Sequence, residues 1–364
     1  MAPAGSRSLR LTTHGTVSTA LAALGDDTLH TLLDTAEPLG SGIGGKSALL
    51  EIEGTPVFVK RVPLTDLERQ PENVHSTANL FDIPLVCQYG IGQYGIGGPG
   101  FGAWRELAAQ RMTTEWVLTG EYDGFPLMYH WRVLPDSTPL PEELADVERA
   151  VARWDGSPQV RHRIEALQKS SASIALFLEY IPRNLHQWLG TRTTAGAEAA
   201  DRACAMVDRE LSAGISFMNS RGLLHFDTHF QNILTDGHRL YFTDYGLALS
   251  SRFDLTPTES AFFARHEGYD RCYATSYLVN WLVTDLYGRN GTSGGPDGYG
   301  SEERRARIHA LARGERPTGI PEVAAAILTR DAPLAEVMTT FLHRLAHESR
   351  ETPYPMEDLR ALEI

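Results

Sequence analysis

Apolar and polar residues alternate over two neighbouring stretches in the first sixth of the chain. Apolar and acidic residues alternate in Leu50–Glu53, and Val57–Val59 is a run of β-branched and aromatic residues. Gly54–Pro56 separates these stretches with residues that interrupt regular structure. A period of two residues is typical of half-buried strands, so the pattern predicts a strand, a tight turn and a second strand.

Other segments show the helical period or are rich in helix-forming residues. Trp104–Leu118 reads as a helix, Pro141–Lys169 predicts a helical insertion between two strands, and Arg304–Glu363 predicts several helices. Asp201–Arg221 predicts a long buried helix, with Gly222 as its C-terminal cap. The apolar stripe of that helix consists of Ala203, Val207, Leu211, Ile215 and Met218.

The composition fits a globular protein and disfavours a polyanion as its main binding partner. Of the 364 residues, 42% are hydrophobic and 22% are charged, which allows one large or two medium cores. The formal net charge of −13 argues against nucleic acid or an anionic membrane as the main partner. Three distant cysteines without metal-binding spacing favour a reduced, cytoplasmic protein, and no run is long enough to span a bilayer.

Residues 1–27 are predicted to be an N-terminal extension. Arg7 and Arg10 precede the apolar run VSTALAAL, an arrangement with a faint similarity to a secretory signal peptide. Serine and threonine interrupt that run, and no clear cleavage site follows it. We therefore expect a peripheral helix or a loose arm.

A glycine-rich stretch before the predicted strand pair fits two phosphate-binding patterns. Gly40, Gly45, Lys46 and Ser47 satisfy G-x-x-x-x-G-K-[ST], while Gly40, Gly42 and Gly45 satisfy G-x-G-x-x-G. The first pattern, the P-loop, needs a helix directly after Lys46, and the dinucleotide-binding form of the second also opens a helix. The strand pattern after Lys46 disfavours both and favours a glycine loop on an antiparallel hairpin.

The stretch Gly222–Leu249 carries polar residues at fixed spacing. His225, Asp227 and Asn232 stand as H-x-D-x-x-x-x-N, and Asp244–Gly246 follows a predicted short hairpin. A hairpin with an amide on one arm and a carboxylate on the other can bring both side chains onto magnesium ions.

Together with the strand VFVK that ends in Lys60, these motifs resemble the protein-kinase-like superfamily over about Leu39–Leu249. The resemblance implies an α+β bilobal fold, with a small antiparallel β-sheet and a helix in the N-lobe and a mainly α-helical C-lobe. The expected boundaries are the extension at 1–27, the N-lobe at 28–180 with insertions at 63–102 and 141–169, and the C-lobe at 181–364 with a flexible loop at 290–300. The first insertion contains QYGIG twice in tandem.

The resemblance implies ATP and Mg²⁺ as cofactors. Asp227 would accept or orient the proton of an attacking hydroxyl, while Asn232 and Asp244 would hold magnesium. His229 stands where Ser/Thr protein kinases usually have lysine; aminoglycoside and choline phosphotransferases have H-G-D-x-H-x-x-N there, which this chain matches except for Phe226. His229 is therefore a further catalytic candidate, with simple packing of the loop as the alternative.

Other positions would bind the nucleotide. Lys60 would steady the α- and β-phosphates and would be held by a glutamate of the predicted helix, with Glu106 as the candidate and Glu115 as its rival. The glycine loop and the end of an apolar strand would contact the phosphates and the adenine. These remaining positions are Gly40, Ser41, Gly42 and Gly45 in the loop, and Leu178, Glu179 and Ile181 at the strand end.

The acceptor is less well defined by the sequence than the nucleotide. Thr256–Glu259 has the form of a capping box that starts a helix soon after Asp244, so a long activation loop is not expected. We expect a kinase acting on a hydroxyl, first on Ser or Thr of a protein or peptide. The alternatives are a small-molecule kinase of aminoglycoside or choline type and a pseudokinase that only binds nucleotide. The pseudokinase is disfavoured because all four of its usually lost residues are present: Lys60, Asp227, Asn232 and Asp244.

Overall fold

A computed structural model describes residues 4–42, 45–89, 99–137, 139–288 and 301–362. Within these residues the protein is a mixed α and β structure, with a five-stranded antiparallel sheet and many helices. The loop expected at 290–300 and most of the tandem repeat, at 90–98, lie outside the described residues. No described helix is both long enough and apolar enough to cross a membrane.

The described residues form nine strands and thirteen α-helices. The strands are β1 (Glu37–Gly42), β2 (Gly45–Ile52), β3 (Thr55–Leu64), β4 (Met128–Pro135), β5 (Ala172–Glu179), β6 (Leu223–Leu224), β7 (Ile233–Thr235), β8 (Leu240–Phe242) and β9 (Leu249–Ser250). The helices are α1 (Ala4–Ala22), α2 (Asp26–Thr35), α3 (Ala103–Leu118), α4 (Glu142–Ala145), α5 (Val147–Ala152), α6 (Pro158–Gln168), α7 (Leu185–Thr194), α8 (Ala197–Ser220), α9 (Pro257–Arg265), α10 (Tyr269–Gly288), α11 (Ser301–Ala312), α12 (Glu322–His347) and α13 (Met356–Ala361).

The chain divides into two compact units. The first contains the described residues of 1–90, 95–181 and 241–263, and the second contains those of 182–240 and 264–364. The chain therefore passes from the first unit to the second after Ile181 and returns to the first at Tyr241.

The antiparallel sheet of the first unit has the strand order β1-β2-β3-β5-β4. Its β2–β3 hairpin confirms the predicted strand, turn and strand, with Leu50 opposite Val57. The turn is tight because Glu53 and Gly54 both take positive φ angles, of 50° and 70°. Lys46 lies within β2 and does not open a helix, so the structure excludes the P-loop and dinucleotide-binding alternatives.

Helix α3, the helix predicted over Trp104–Leu118, packs against one face of this sheet. The face of α3 that contacts the sheet is set by apolar residues near the start of the helix. These residues, including Trp104 and Leu107, enter a buried cluster with β3 and β5. The cluster contains Val62, Leu64, Ala103, Trp104, Leu107, Met128, Ile174, Leu176 and Leu178. Burying this face fixes α3, and therefore every polar side chain that it carries, relative to β3.

Both predicted insertions contribute to the start of α3. Glu68, from the first insertion, accepts a hydrogen bond from the backbone N–H of Ala103 at 2.7 Å. Its other carboxylate oxygen lies 2.7 Å from Nη1 of Arg163, which is on α6 of the helical insertion 141–169. Both side chains are buried. The helical insertion lies between β4 and β5 as predicted, and through Arg163 it helps to hold α3 rather than serving only as a solvated surface.

The second unit is built around the predicted long helix, α8. All five residues of its predicted apolar stripe are buried. The helix ends before Gly222, whose φ of 71° is the left-handed conformation that favours glycine after a helix. Helices α7, α10 and α12 pack against α8, and α11 and α12 with α13 form the helices predicted for the C-terminal part.

Candidate active site

Lys60, on β3, lies between two carboxylates in the first unit. Its ammonium nitrogen is 2.6 Å from Oε1 of Glu106 on α3 and 2.8 Å from Oδ1 of Asp244. The Lys60 and Glu106 side chains are only 11% and 5% exposed, whereas the Asp244 side chain is 38% exposed. Glu106, and not its rival Glu115, is thus the glutamate that contacts the lysine. The partly exposed carboxylate leaves this cluster open to a ligand from one side.

The three charges control each other's protonation. Burial lowers the pKa of the Lys60 ammonium, but Asp244 and Glu106 more than offset that effect, so its pKa is raised and it stays a cation at neutral pH. Burial raises the pKa of Glu106 to about 7, because Lys60 offsets only part of that effect and Asp244 adds to it. Glu106 is therefore the member of the cluster that titrates near neutral pH.

The predicted glycine loop is the β1–β2 hairpin. Gly42 pairs with Gly45 and Ser41 with Lys46 across the hairpin, and Ser47 Oγ donates to the carbonyl of Gly40 at 3.2 Å. Gly45 has a φ of 117°, and a Cβ atom there would collide with the carbonyl of Arg61, so this position requires glycine. The tip of the hairpin, 43–44, lies outside the described residues.

Asp244 lies two residues after the end of β8 and has a φ of 66°. Tyr245 is fully buried in the first unit and donates its hydroxyl to the carbonyl of Phe242 at 2.7 Å. Burial raises the pKa of this hydroxyl, so it remains a neutral donor. A tyrosine is tolerated at this buried position because its hydroxyl has a partner.

The second unit carries the other group of predicted residues. Asn232 Nδ2 donates to Oδ2 of Asp227 at 3.0 Å and to the backbone carbonyl of Asp227 at 3.1 Å. His229 Nε2 is 3.6 Å from the same Asp227 oxygen. The buried Nδ1 atom of His229 has no hydrogen-bond partner among the described residues. Buried polar atoms are normally paired, and this nitrogen is an exception; the ring also lies 6.3 Å from that of Tyr277 between centroids.

Sequence reasoning missed Asp270, which holds the loop before Asp227. Its two carboxylate oxygens accept the backbone N–H groups of His225 and Phe226 at 2.6 and 2.7 Å. Phe226 has a φ of 63° at the position where the phosphotransferase pattern has glycine, and its ring stacks on Tyr269 at 4.8 Å. The two hydrogen bonds and the stacking stabilise a conformation that phenylalanine alone disfavours. An acidic residue in the first turn of a helix with many buried residues was the available signal.

The predicted adenine-binding positions lie at the end of β5 in the first unit. Leu178 is buried in the sheet cluster, and Ile181 lies two residues beyond the strand and is partly exposed. The backbone N–H of Glu179 donates to the carbonyl of Leu127 at 2.8 Å, so this group is already used within the protein. Any adenine contact by Glu179 would have to use its carbonyl.

The donor set suits magnesium, which prefers hard oxygen ligands and usually takes phosphate oxygens and water as well. Asp244 offers a carboxylate, and Asn232 offers an amide oxygen because its amide nitrogen is committed to Asp227. No group of three or more His, Cys, Asp or Glu side chains that could hold a metal occurs in the described part of the chain.

Comparison of the sequence with models of known protein families found no match. Comparison with curated proteins also found no match. Function is therefore inferred from the motifs and from the contacts within each unit. Lys60, Glu106 and Asp244 are brought together in the first unit, and Asp227, His229 and Asn232 in the second.

Proposed function

We propose that this protein is an ATP- and Mg²⁺-dependent phosphotransferase that moves the γ-phosphate of ATP to a hydroxyl group. The observation that carries the proposal is the buried Lys60 ammonium, held by Glu106 and by the more exposed Asp244. A buried, fixed cation with one accessible carboxylate beside it matches the need of a magnesium-bound phosphate chain. The order of the motifs along the chain, which resembles that of the protein-kinase-like superfamily, supports the same conclusion.

Phosphoryl transfer requires positioning and charge stabilisation more than covalent chemistry by the protein. Lys60 would bind the α- and β-phosphate oxygens, and Asn232 and Asp244 would hold magnesium, which when bound neutralises charge on the phosphates. Asp227 would orient the acceptor hydroxyl and accept its proton, with Asn232 fixing the direction of the Asp227 carboxylate.

The preferred acceptor is Ser or Thr of a protein or peptide, and the alternative is a small molecule. One observation favours the alternative: the predicted capping box is formed, with Thr256 N–H donating to Oε2 of Glu259 at 2.9 Å and Glu259 N–H donating to Oγ1 of Thr256 at 3.1 Å. Helix α9 therefore begins soon after Asp244, which leaves little chain for a peptide-docking activation loop. A module that binds nucleotide without transfer is the third possibility.

Incubation with γ-labelled ATP and Mg²⁺ tests these alternatives directly. Generic protein substrates and a panel of aminoglycosides are offered in parallel, with the Asp227→Ala variant in each reaction. Label on protein that disappears with Asp227→Ala supports the preferred acceptor, and label on a small molecule supports the alternative. Bound ATP with no transferred label, and no difference between the variant and the wild-type protein, would show a nucleotide-binding module.

The pH dependence of kcat/KM for ATP should follow from the raised pKa of Glu106. Only its carboxylate form attracts Lys60, so protonation below a pH of about 7 should weaken the pair and lower kcat/KM for ATP. The limiting slope is about tenfold per pH unit, because one proton is bound. Glu106→Gln, which cannot ionise, should give a lower kcat/KM that no longer falls between pH 7 and 6. If kcat/KM for ATP still falls between pH 7 and 6 in this variant, the titrating group is not Glu106.

A further inference from the structure

Arg10, on the N-terminal helix α1, is an almost fully buried side chain in the first unit. Its Nε and Nη2 atoms bind the two carboxylate oxygens of Glu179 at 2.8 and 2.7 Å. The same guanidinium donates to the backbone carbonyls of Asp123 at 3.0 Å and Phe125 at 2.6 Å. A planar fork matched to both oxygens of a carboxylate is a geometry that arginine provides and lysine does not.

Glu179 is the residue whose backbone is predicted to face adenine. Its Oε2 atom also accepts the backbone N–H of Leu127 at 3.0 Å, while its own N–H donates to the carbonyl of Leu127. The Arg10 guanidinium lies over the ring of Tyr241, 5.2 Å from its centroid. Arg10 thus ties α1 to the end of β5 and to the strand that leads into Asp244.

We infer that Arg10 is a positioning residue for the nucleotide: it holds the Glu179–Ile181 segment in the conformation that binds adenine. This inference rests on the proposed function. Without Arg10, the Glu179 carboxylate would be left buried and unpaired, so it would turn toward water and release the N–H of Leu127. The fraction of molecules with a competent adenine site would fall, and the apparent affinity for ATP would fall with it.

Arg7 provides a matched control on the same helix, one turn earlier. It also binds an acidic residue, with Nε 3.2 Å from Oδ1 of Asp123, and Nη2 donates to the carbonyl of Val117 near the end of α3. Arg7→Met therefore removes an arginine that docks α1, whereas Arg10→Met removes the one that binds Glu179. A general effect of loosening α1 would appear in both variants.

The variants are compared by titration with Mg·ATP and by steady-state kinetics. Arg10→Met should raise the Kd for Mg·ATP about tenfold if the competent fraction falls to about a tenth, and should leave kcat within about twofold. Arg10→Lys should rescue part of the loss, since a single ammonium cannot supply the fork. Arg7→Met should keep Kd within about twofold of the wild-type value. Equal losses of affinity in Arg7→Met and Arg10→Met would overturn the inference.

Glu179→Gln tests the same ion pair if Arg10→Met does not fold, because glutamine keeps the size of the glutamate side chain and lacks its charge. It should raise the Kd for Mg·ATP as Arg10→Met does, and the double variant should be no weaker than either single one. Additive losses would mean that the two residues act separately, which contradicts the inference.

Amide hydrogen exchange of the nucleotide-free protein separates this inference from the proposed function. The N–H of Leu127 should lose protection in Arg10→Met and keep it in Arg7→Met. If wild-type protein binds no Mg·ATP, the proposed function and the role of Arg10 in binding both fail. If wild-type protein binds Mg·ATP but Leu127 stays protected in Arg10→Met, only the role of Arg10 fails.

Discussion

Replacing Asp227 by asparagine is expected to lower kcat for phosphoryl transfer by about two to four orders of magnitude, the range for a positioned general base. Asparagine has the same size, and its amide oxygen can still accept the hydrogen bond that Asn232 Nδ2 donates to Asp227. The loop should therefore keep its shape while it loses the group that takes the proton. The measurement is kcat and KM with labelled ATP and the acceptor found above.

Asp236→Asn is the control for that substitution. Asp236 lies on the turn after β7, where its Oδ1 atom accepts the N–H groups of His238 and Arg239 at 2.8 and 3.0 Å. An asparagine oxygen can accept both, so kcat should stay within about twofold. If Asp227→Asn retains more than about a tenth of the wild-type kcat, Asp227 is not the base.

The largest expected effect on stability is at the ion pair between Arg105 on α3 and Glu259 on α9. Arg105 Nη2 lies 2.6 Å from Glu259 Oε1, and both side chains are 2% exposed. Glu259→Gln would leave a buried guanidinium without a counter-charge, so the free energy of unfolding should fall by about 3–5 kcal/mol. Urea unfolding of the full-length protein measures this loss.

Two comparisons identify the cause of the loss. The double variant Arg105→Met with Glu259→Leu replaces the pair by apolar side chains and should recover most of the stability, because no buried charge remains. Glu148→Gln breaks an exposed pair with Arg161 and should leave the free energy of unfolding nearly unchanged, because water screens that pair. If Glu259→Gln costs no more than Glu148→Gln, the buried pair does not hold α9 to α3.

Local features of this fold could be predicted from the sequence because they depend on neighbouring residues. The β2–β3 hairpin follows from alternation around Gly54, and the buried side of α8 follows from its stripe. The Thr256–Glu259 box depends on residues three apart and is formed as predicted. Glu106 could be chosen because a helix pattern placed it on the first turn of α3.

The contacts that fix these elements in space could not be predicted in this way. Arg10 and Glu179 are 169 residues apart, and Glu68 and Arg163 are 95 apart, so no spacing rule connects them. Tyr241 is also buried against Arg10, from which it is far removed along the chain. Long-range ion pairs depend on which surfaces pack together in the folded protein. The local periodicity of a single sequence does not show which distant surfaces these are.

The proposed function requires Lys60 and Asp244, in the first unit, to bind magnesium and ATP. A crystal structure of the protein with Mg²⁺ and a non-hydrolysable ATP analogue is the sharpest test of this requirement. We predict that Asp244 ligates magnesium, at about 2.0–2.1 Å, and that Lys60 binds the α- and β-phosphates of the analogue. An analogue bound away from Lys60, or a magnesium ion without contact to Asp244, would refute the proposed function.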